Sequence, residues 1–202
     1  MLKLNLMLCA VYLLFYAGCS SSPKLISSWR APNSTIYFDS LHKVLVVAAL
    51  NDSYNRKFTE NRIAARFGNA GVKSYEYFEL ADLVEKKSYL IKKFKEENFN
   101  GAVVIRVVSQ QSEVTAQQTI PTYLLDYWDF ADYYVDTRMS AGRMTHDEFY
   151  RIEVNVYSFD TNKLVWSCLA SWTNPEFNME RLVNNIVNLV ADKMDEENFI
   201  IR

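Results

Sequence analysis

Two apolar runs constrain this chain more than anything else in it. Val44-Leu45-Val46-Val47-Ala48-Ala49-Leu50 is unbroken, and Ala102-Val103-Val104-Ile105-Arg106-Val107-Val108 is interrupted only by Arg106. A strand half-exposed to water alternates apolar and polar residues, whereas a strand covered on both faces reads as a continuous run. Both stretches therefore predict central strands of a sheet with helices on its two faces. Hydrophobic residues make up 50% of the chain, enough to fill the two layers this needs.

The segments between and after these runs supply the rest of the architecture. Asn51-Asp52-Ser53 offers loop and cap chemistry, and a helix follows over about 55–69 with Phe58, Ile63 and Phe67 inward and Gly71 as its stop. A second strand is predicted over 72–78, then a helix over about 80–98 with Leu90, Phe94 and Phe99 on its apolar side. Beyond the second apolar run, Phe149 to Phe159 and Leu164 to Trp172 both alternate. A three-residue loop, Asp160-Thr161-Asn162 with Asn162 left-handed, joins them as a hairpin that sets Val156 against Trp166 and Val154 against Cys168. Asn174-Pro175 reads as the start of a last helix that runs to about Met194, with Leu182, Val183, Ile186, Val187, Val190 and Met194 at three-and-four spacing. Right-handed crossovers put the first two helices on opposite faces. The expected fold is α/β, a mixed five-stranded sheet in the order 2-1-3-4-5, with the chain running β-α-β-α-β, insertion, β-β-α.

The start of the chain has a different character. Lys3 precedes an apolar run from Leu4 to Gly18 that is too short to span a membrane, and small residues lead into Cys19 before the sequence turns polar at Ser20-Ser21-Ser22. Leu13-Leu14-Phe15-Tyr16-Ala17-Gly18-Cys19 resembles the lipobox of bacterial lipoprotein signal peptides, with Tyr16 where that family usually has Leu. The resemblance implies cleavage before Cys19 and acylation of that residue. Ser20 after the cysteine resembles the outer-membrane sorting pattern. The domain organisation read this way is a signal peptide over 1–18, a lipidated cysteine and tether over 19–42, and one α/β domain over 43–202. Within the tether, Trp29 either docks on the domain, the preferred reading, or lies at the membrane interface, where Trp is common.

The order of elements and the hairpin at Leu164-Val165-Trp166 resemble a broad family of periplasmic accessory lipoproteins, whose α/β domain is like the amino-terminal domain of TolB or the core of LpoB. Ser27-Ser28-Trp29-Arg30 is similar to the opening of other envelope lipoproteins. These resemblances imply a non-catalytic, membrane-attached module that faces the periplasm and works with another envelope protein.

The residues themselves exclude several chemistries. With 22 basic against 24 acidic residues, the chain lacks the basic footprint of a nucleic-acid binder. His42 and His146 are its two histidines; His146-Asp147-Glu148 are neighbours that do not converge on one ion, so no metal or other cofactor is expected. No spacing places a nucleophile beside a base, and an enzyme is not expected. Cys168 is the one cysteine beyond Cys19; its apolar strand surroundings point to burial rather than reactivity.

Two regions remain as candidate sites. Between about 119 and 145, Tyr123, Tyr127, Trp128, Phe130, Tyr133 and Tyr134 are interleaved with Asp126, Asp129, Asp132 and Asp136. Such long insertions are usually functional or disordered. These rings either pack over the sheet or form a partner surface, since Tyr and Trp dominate binding hot spots. The second candidate is a ligand crevice at the carboxyl ends of the first and third strands, where the strand order reverses. Asn51, Asp52, Arg56, Ser109 and Gln110 would line it; alternatively Asp52 or Ser53 simply caps the helix.

Overall fold

The structure, a computed structural model, describes residues 22–50, 52–109, 149–173 and 178–202. Its strands are β1 (Lys24–Arg30), β2 (Ile36–Tyr37), β3 (Val44–Ala49), β4 (Gly71–Lys73), β5 (Gly101–Ser109), β6 (Phe149–Ser158), β7 (Lys163–Thr173) and β8 (Ile200–Ile201). Its α-helices are α1 (Ser53–Ala64), α2 (Asp82–Glu85), α3 (Lys87–Glu96) and α4 (Met179–Glu196). The main sheet has six strands in the order β1-β7-β6-β5-β3-β4, and β2 pairs with β8 in a separate two-stranded ribbon.

The fold is α/β. The order 2-1-3-4-5 is present as β4-β3-β5-β6-β7, with β3 parallel to both β4 and β5 and the hairpin antiparallel beyond. Both apolar runs are central: Val44–Ala49 and residues 102–105 are buried on both faces, while Leu50, Arg106, Val107 and Val108 are half-buried. Val44, Val46, Ala48, Val103 and Ile105 look toward α1 and α4, whereas Leu45, Val47, Ala49, Ala102 and Val104 look toward α3. The first helix and the α2–α3 pair thus lie on opposite faces. Leu90 and Phe94 anchor α3, each worth roughly 2–3 kcal/mol when buried.

The hairpin keeps the predicted core register, Val156 against Trp166 and Val154 against Cys168, by another route. The turn spans four residues, because Ser158 pairs with Lys163, and a bulge between Val156 and Tyr157 restores the register. Asn162 is left-handed, with φ of 53°. The opposing strand takes up the extra residue at Val165, whose carbonyl accepts from Ala31 N–H at 3.0 Å just past the end of β1.

Four expectations are corrected. The sheet has a sixth strand, because Lys24–Arg30, within the stretch assigned to a tether, pairs antiparallel along β7. Strand 72–78 is cut to three residues: the chain turns at Ser74 because the buried Glu60 carboxylate accepts from Ser74 Oγ at 2.7 Å and Tyr75 N–H at 3.0 Å. The single helix expected over 80–98 breaks at Lys86 into α2 and α3. The last helix is capped by Asn178, whose side chain accepts from Arg181 N–H at 2.9 Å, rather than by Asn174, which lies outside the described residues.

Gly71 and Gly101 are fixed by close approach. A Cβ on Gly71 would come within 2.2 Å of the Ala64 carbonyl oxygen, and one on Gly101 within 2.1 Å of that of Tyr157.

Candidate functional site

Of the residues expected to line a crevice at the ends of β3 and β5, the structure describes Asp52, Arg56 and Ser109. Asp52 caps α1, accepting from Asn55 N–H at 2.8 Å. One turn on, Arg56 is buried, and its guanidinium is engaged in a polar network that runs from buried Glu60 to exposed Glu79. Nε reaches Glu60 at 3.1 Å, one terminal nitrogen reaches Glu79 at 3.1 Å, and the other reaches Ser74 Oγ at 3.0 Å and the Phe78 carbonyl at 2.9 Å. Glu60, wholly buried, also accepts from Ala48 N–H at 3.1 Å. A desolvated charge pair persists only where hydrogen bonds satisfy its remaining groups, and here they do. Arg56 therefore joins α1 to the turn after β4, while Glu60 ties the same network to β3, and four guanidinium hydrogen bonds are spent within the fold. Of the other crevice residues, Asn51 and Gln110 lie outside the described residues, and Ser109 is the last residue of β5.

Tyr123, Tyr127, Trp128, Phe130, Tyr133 and Tyr134 also lie outside the described residues, as do Cys19 and His146. What the described residues do fix is where these segments join the sheet. Lys24 pairs with Ser171, Ser171 with Arg151, and Arg151 with Val108. One row therefore crosses four strands from the start of β1 to the penultimate residue of β5, about 14 Å at 4.8 Å per strand. The chain segment that leads back to Cys19 and both junctions of the aromatic segment, Ser109 and Phe149, stand at the same pole of the sheet. The amino-terminal ends of α1 and α4 meet there too, bridged by Tyr54 Oη donating to Glu180 at 3.1 Å.

β1 is fastened to the domain by more than its ladder. Ser28 and Arg30 pair with Cys168 and Trp166 and share their face of the sheet, toward the carboxyl end of α4. The Glu197 carboxylate accepts from Ser28 Oγ at 2.7 Å and from the indole N–H of fully buried Trp166 at 2.7 Å, and lies 3.4 Å from Lys193 Nζ. Arg30 donates to the Glu197 carbonyl and to Thr35 Oγ1 at 2.6 Å. Burial alone would raise the Glu197 carboxyl, but the hydrogen bonds from Ser28, Trp166 and Lys193 outweigh it and hold the group below its ordinary value. No sequence motif announces this clasp. The sequence does carry a signal for β1: eight residues lie between Pro23 and Pro32, with Leu25, Ile26 and Trp29 among them. Trp29 stays 37% exposed.

The opposite pole carries two hollows. One of about 280 Å³ lies under the 33–41 segment, and one of about 640 Å³ lies between α3 and the β6–β7 turn; both are lined in part by Asn100 and Asp160. Asn100 holds this end together: its Oδ1 accepts from His42 N–H at 2.6 Å and Lys43 N–H at 3.1 Å, and its carbonyl accepts from Phe159 N–H at 2.9 Å. Cys168 is buried in the sheet, and burial pushes its thiol up to about 12, so it is not a nucleophile at neutral pH. Among the described residues no three His, Cys, Asp or Glu stand together as a metal site, and no helix is long and apolar enough to cross a membrane.

No family model matches the chain, and no curated protein matches it. Solved structures do. The PelC dodecamer from Paraburkholderia phytofirmans is similar with a TM-score of 0.46 at 9% identity, covering 89% of this chain and 99% of that one. A variant PelC dodecamer from the same organism is similar with a TM-score of 0.39 at 7% identity, covering 83% of this chain and 92% of that one. At this level of similarity neither family nor function passes from one chain to the other.

Proposed function

We propose that this chain is a lipid-anchored, periplasm-facing accessory module of the cell envelope, attached to the outer membrane through Cys19 and acting by holding another envelope protein rather than by catalysis. The observation that carries this reading is the distance between anchor and fold. β1 begins at Lys24, five residues after Cys19, and is stitched to the domain along β7 and through Glu197. Such a linkage transmits position rather than giving a long slack leash, which suits a module whose work is to hold a partner at the membrane. The aromatic residues between about 119 and 145 are its proposed contact surface, since rigid aromatic side chains concentrate binding energy.

Crosslinking in cells, with mass-spectrometric identification of what is captured, tests this. The intact chain is compared with one lacking 119–145, after both are shown to fold. Capture of an envelope protein by the intact chain alone is the expected result. Equal capture by both moves the contact surface elsewhere, and capture of no reproducible envelope partner contradicts the reading.

A further inference from the structure

We infer that the pole of the sheet carrying Lys24, Arg151 and the end of β5 is pressed toward the lipid surface, and that the opposite pole, with the hollows at Asn100 and Asp160, faces away from it. This inference rests on the proposed acylation of Cys19 and adds to it a direction.

The geometry follows from chain length. Five residue steps separate Cys19 from Lys24, and an extended chain covers at most about 3.6 Å per step, so Lys24 lies within about 18 Å of the acylated residue. β6 runs from pole to pole with ten residues, about 30 Å at the strand rise. The anchor's reach is thus shorter than the sheet is long. β1 cannot swing free to relax this limit, because its backbone pairs along β7 from Ser171 to Trp166 and its side chains are held by Glu197. The chain enters the fold at one end of the sheet, and that end must stay near the membrane.

The surface at this pole has matching chemistry. Lys24 is exposed at the start of β1, Ile26 two residues on is 48% exposed, and Tyr54 at the start of α1 is 63% exposed. A cation, an aliphatic side chain and a phenol suit a headgroup layer, where basic residues meet anionic lipid and amphipathic rings settle at the boundary.

The test uses the full-length chain, produced with its leader and reconstituted in vesicles of phosphatidylcholine and phosphatidylglycerol with a headgroup-labelled acceptor lipid. A donor dye is placed at Tyr54→Cys near the anchor, or at Asp160→Cys on the far turn, with Lys57→Cys as a second near-pole position should the first variant fail to fold. The buried Cys168 thiol does not compete for the dye. Acylation is verified by mass before each measurement. Higher energy transfer from the near-pole dyes than from Asp160→Cys is the expected result. Equal or reversed transfer in acylated protein overturns the orientation and leaves the anchored reading standing. A chain found without acyl groups removes that reading and this inference with it.

Discussion

At the scale of single residues, two carboxylates organise what surrounds them. Glu60 is wholly buried and accepts from two backbone N–H groups, the Ser74 hydroxyl and the Arg56 guanidinium. Removing one partner of a buried ion pair strands the other charge. Glu60→Ala is therefore expected to cost about 3–5 kcal/mol in a urea titration, whereas replacing Arg56 and Glu60 together with apolar residues of similar volume should cost less. Glu197 acts differently, because its charge is the acceptor that holds β1. Its folded pKa is depressed, so its contribution is complete above the ordinary carboxylate value of 4.5 and is lost as pH falls through the lower folded value. Stability measured from pH 7 downward should decline in this window more steeply for the wild-type chain than for Glu197→Gln. Matching slopes would show that the Glu197 charge does not hold β1. Neither carboxylate could be singled out from sequence: a glutamate in a helix and another near a helix end look alike until the fold shows which one is enclosed.

At the scale of elements, legibility follows periodicity. The two apolar runs, the alternating hairpin and the amphipathic α4 were readable because each repeats its pattern over several turns or pleats. The core register of the hairpin was readable because a one-residue slip would turn Trp166 and Cys168 away from the core. The bulge that achieves this register was not, since alternation specifies the face and leaves the turn length open. β4 is shorter than its sequence pattern suggests because that pattern continues past the point where Glu60 captures the backbone, a tertiary contact with no local signature. β1 is hard to tell from a tether in sequence because its seven residues, with serines at two adjacent positions, carry weak alternation, and its partners lie far along the chain. Gly101 gives a direct test at this scale: its hydrogen side faces the Tyr157 carbonyl across β5 and β6, so Gly101→Ala must push the strands apart. A loss of about 1–3 kcal/mol in chemical denaturation is expected, in the range of other overpacked sites.

At the scale of the molecule, the sheet has two unlike ends. One gathers the route to Cys19, the junctions of the aromatic segment and the amino-terminal ends of α1 and α4; the other holds the hollows around Asn100 and Asp160. The candidate site was legible from sequence only as composition. The aromatic segment stands out for its residues, and Asp52 for its cap chemistry, whereas the burial of Arg56 and the gathering of distant segments at one pole depend on which strands are neighbours. Deleting Lys24–Arg30 should uncouple the parts: the edge of β7 would be left unpaired, and the purified domain is expected to associate in a concentration-dependent way that light scattering detects. A monomeric, equally stable product would show that β1 is dispensable to the fold.

The claim on which the rest depends is that Cys19 is the point of attachment, and the mass of the mature chain's first peptide tests it most directly. The expected mature chain starts at Cys19 and carries diacylglycerol on the sulfur and a further acyl group on the amino nitrogen. A retained leader, or a chain bearing an unmodified Cys19, would contradict it.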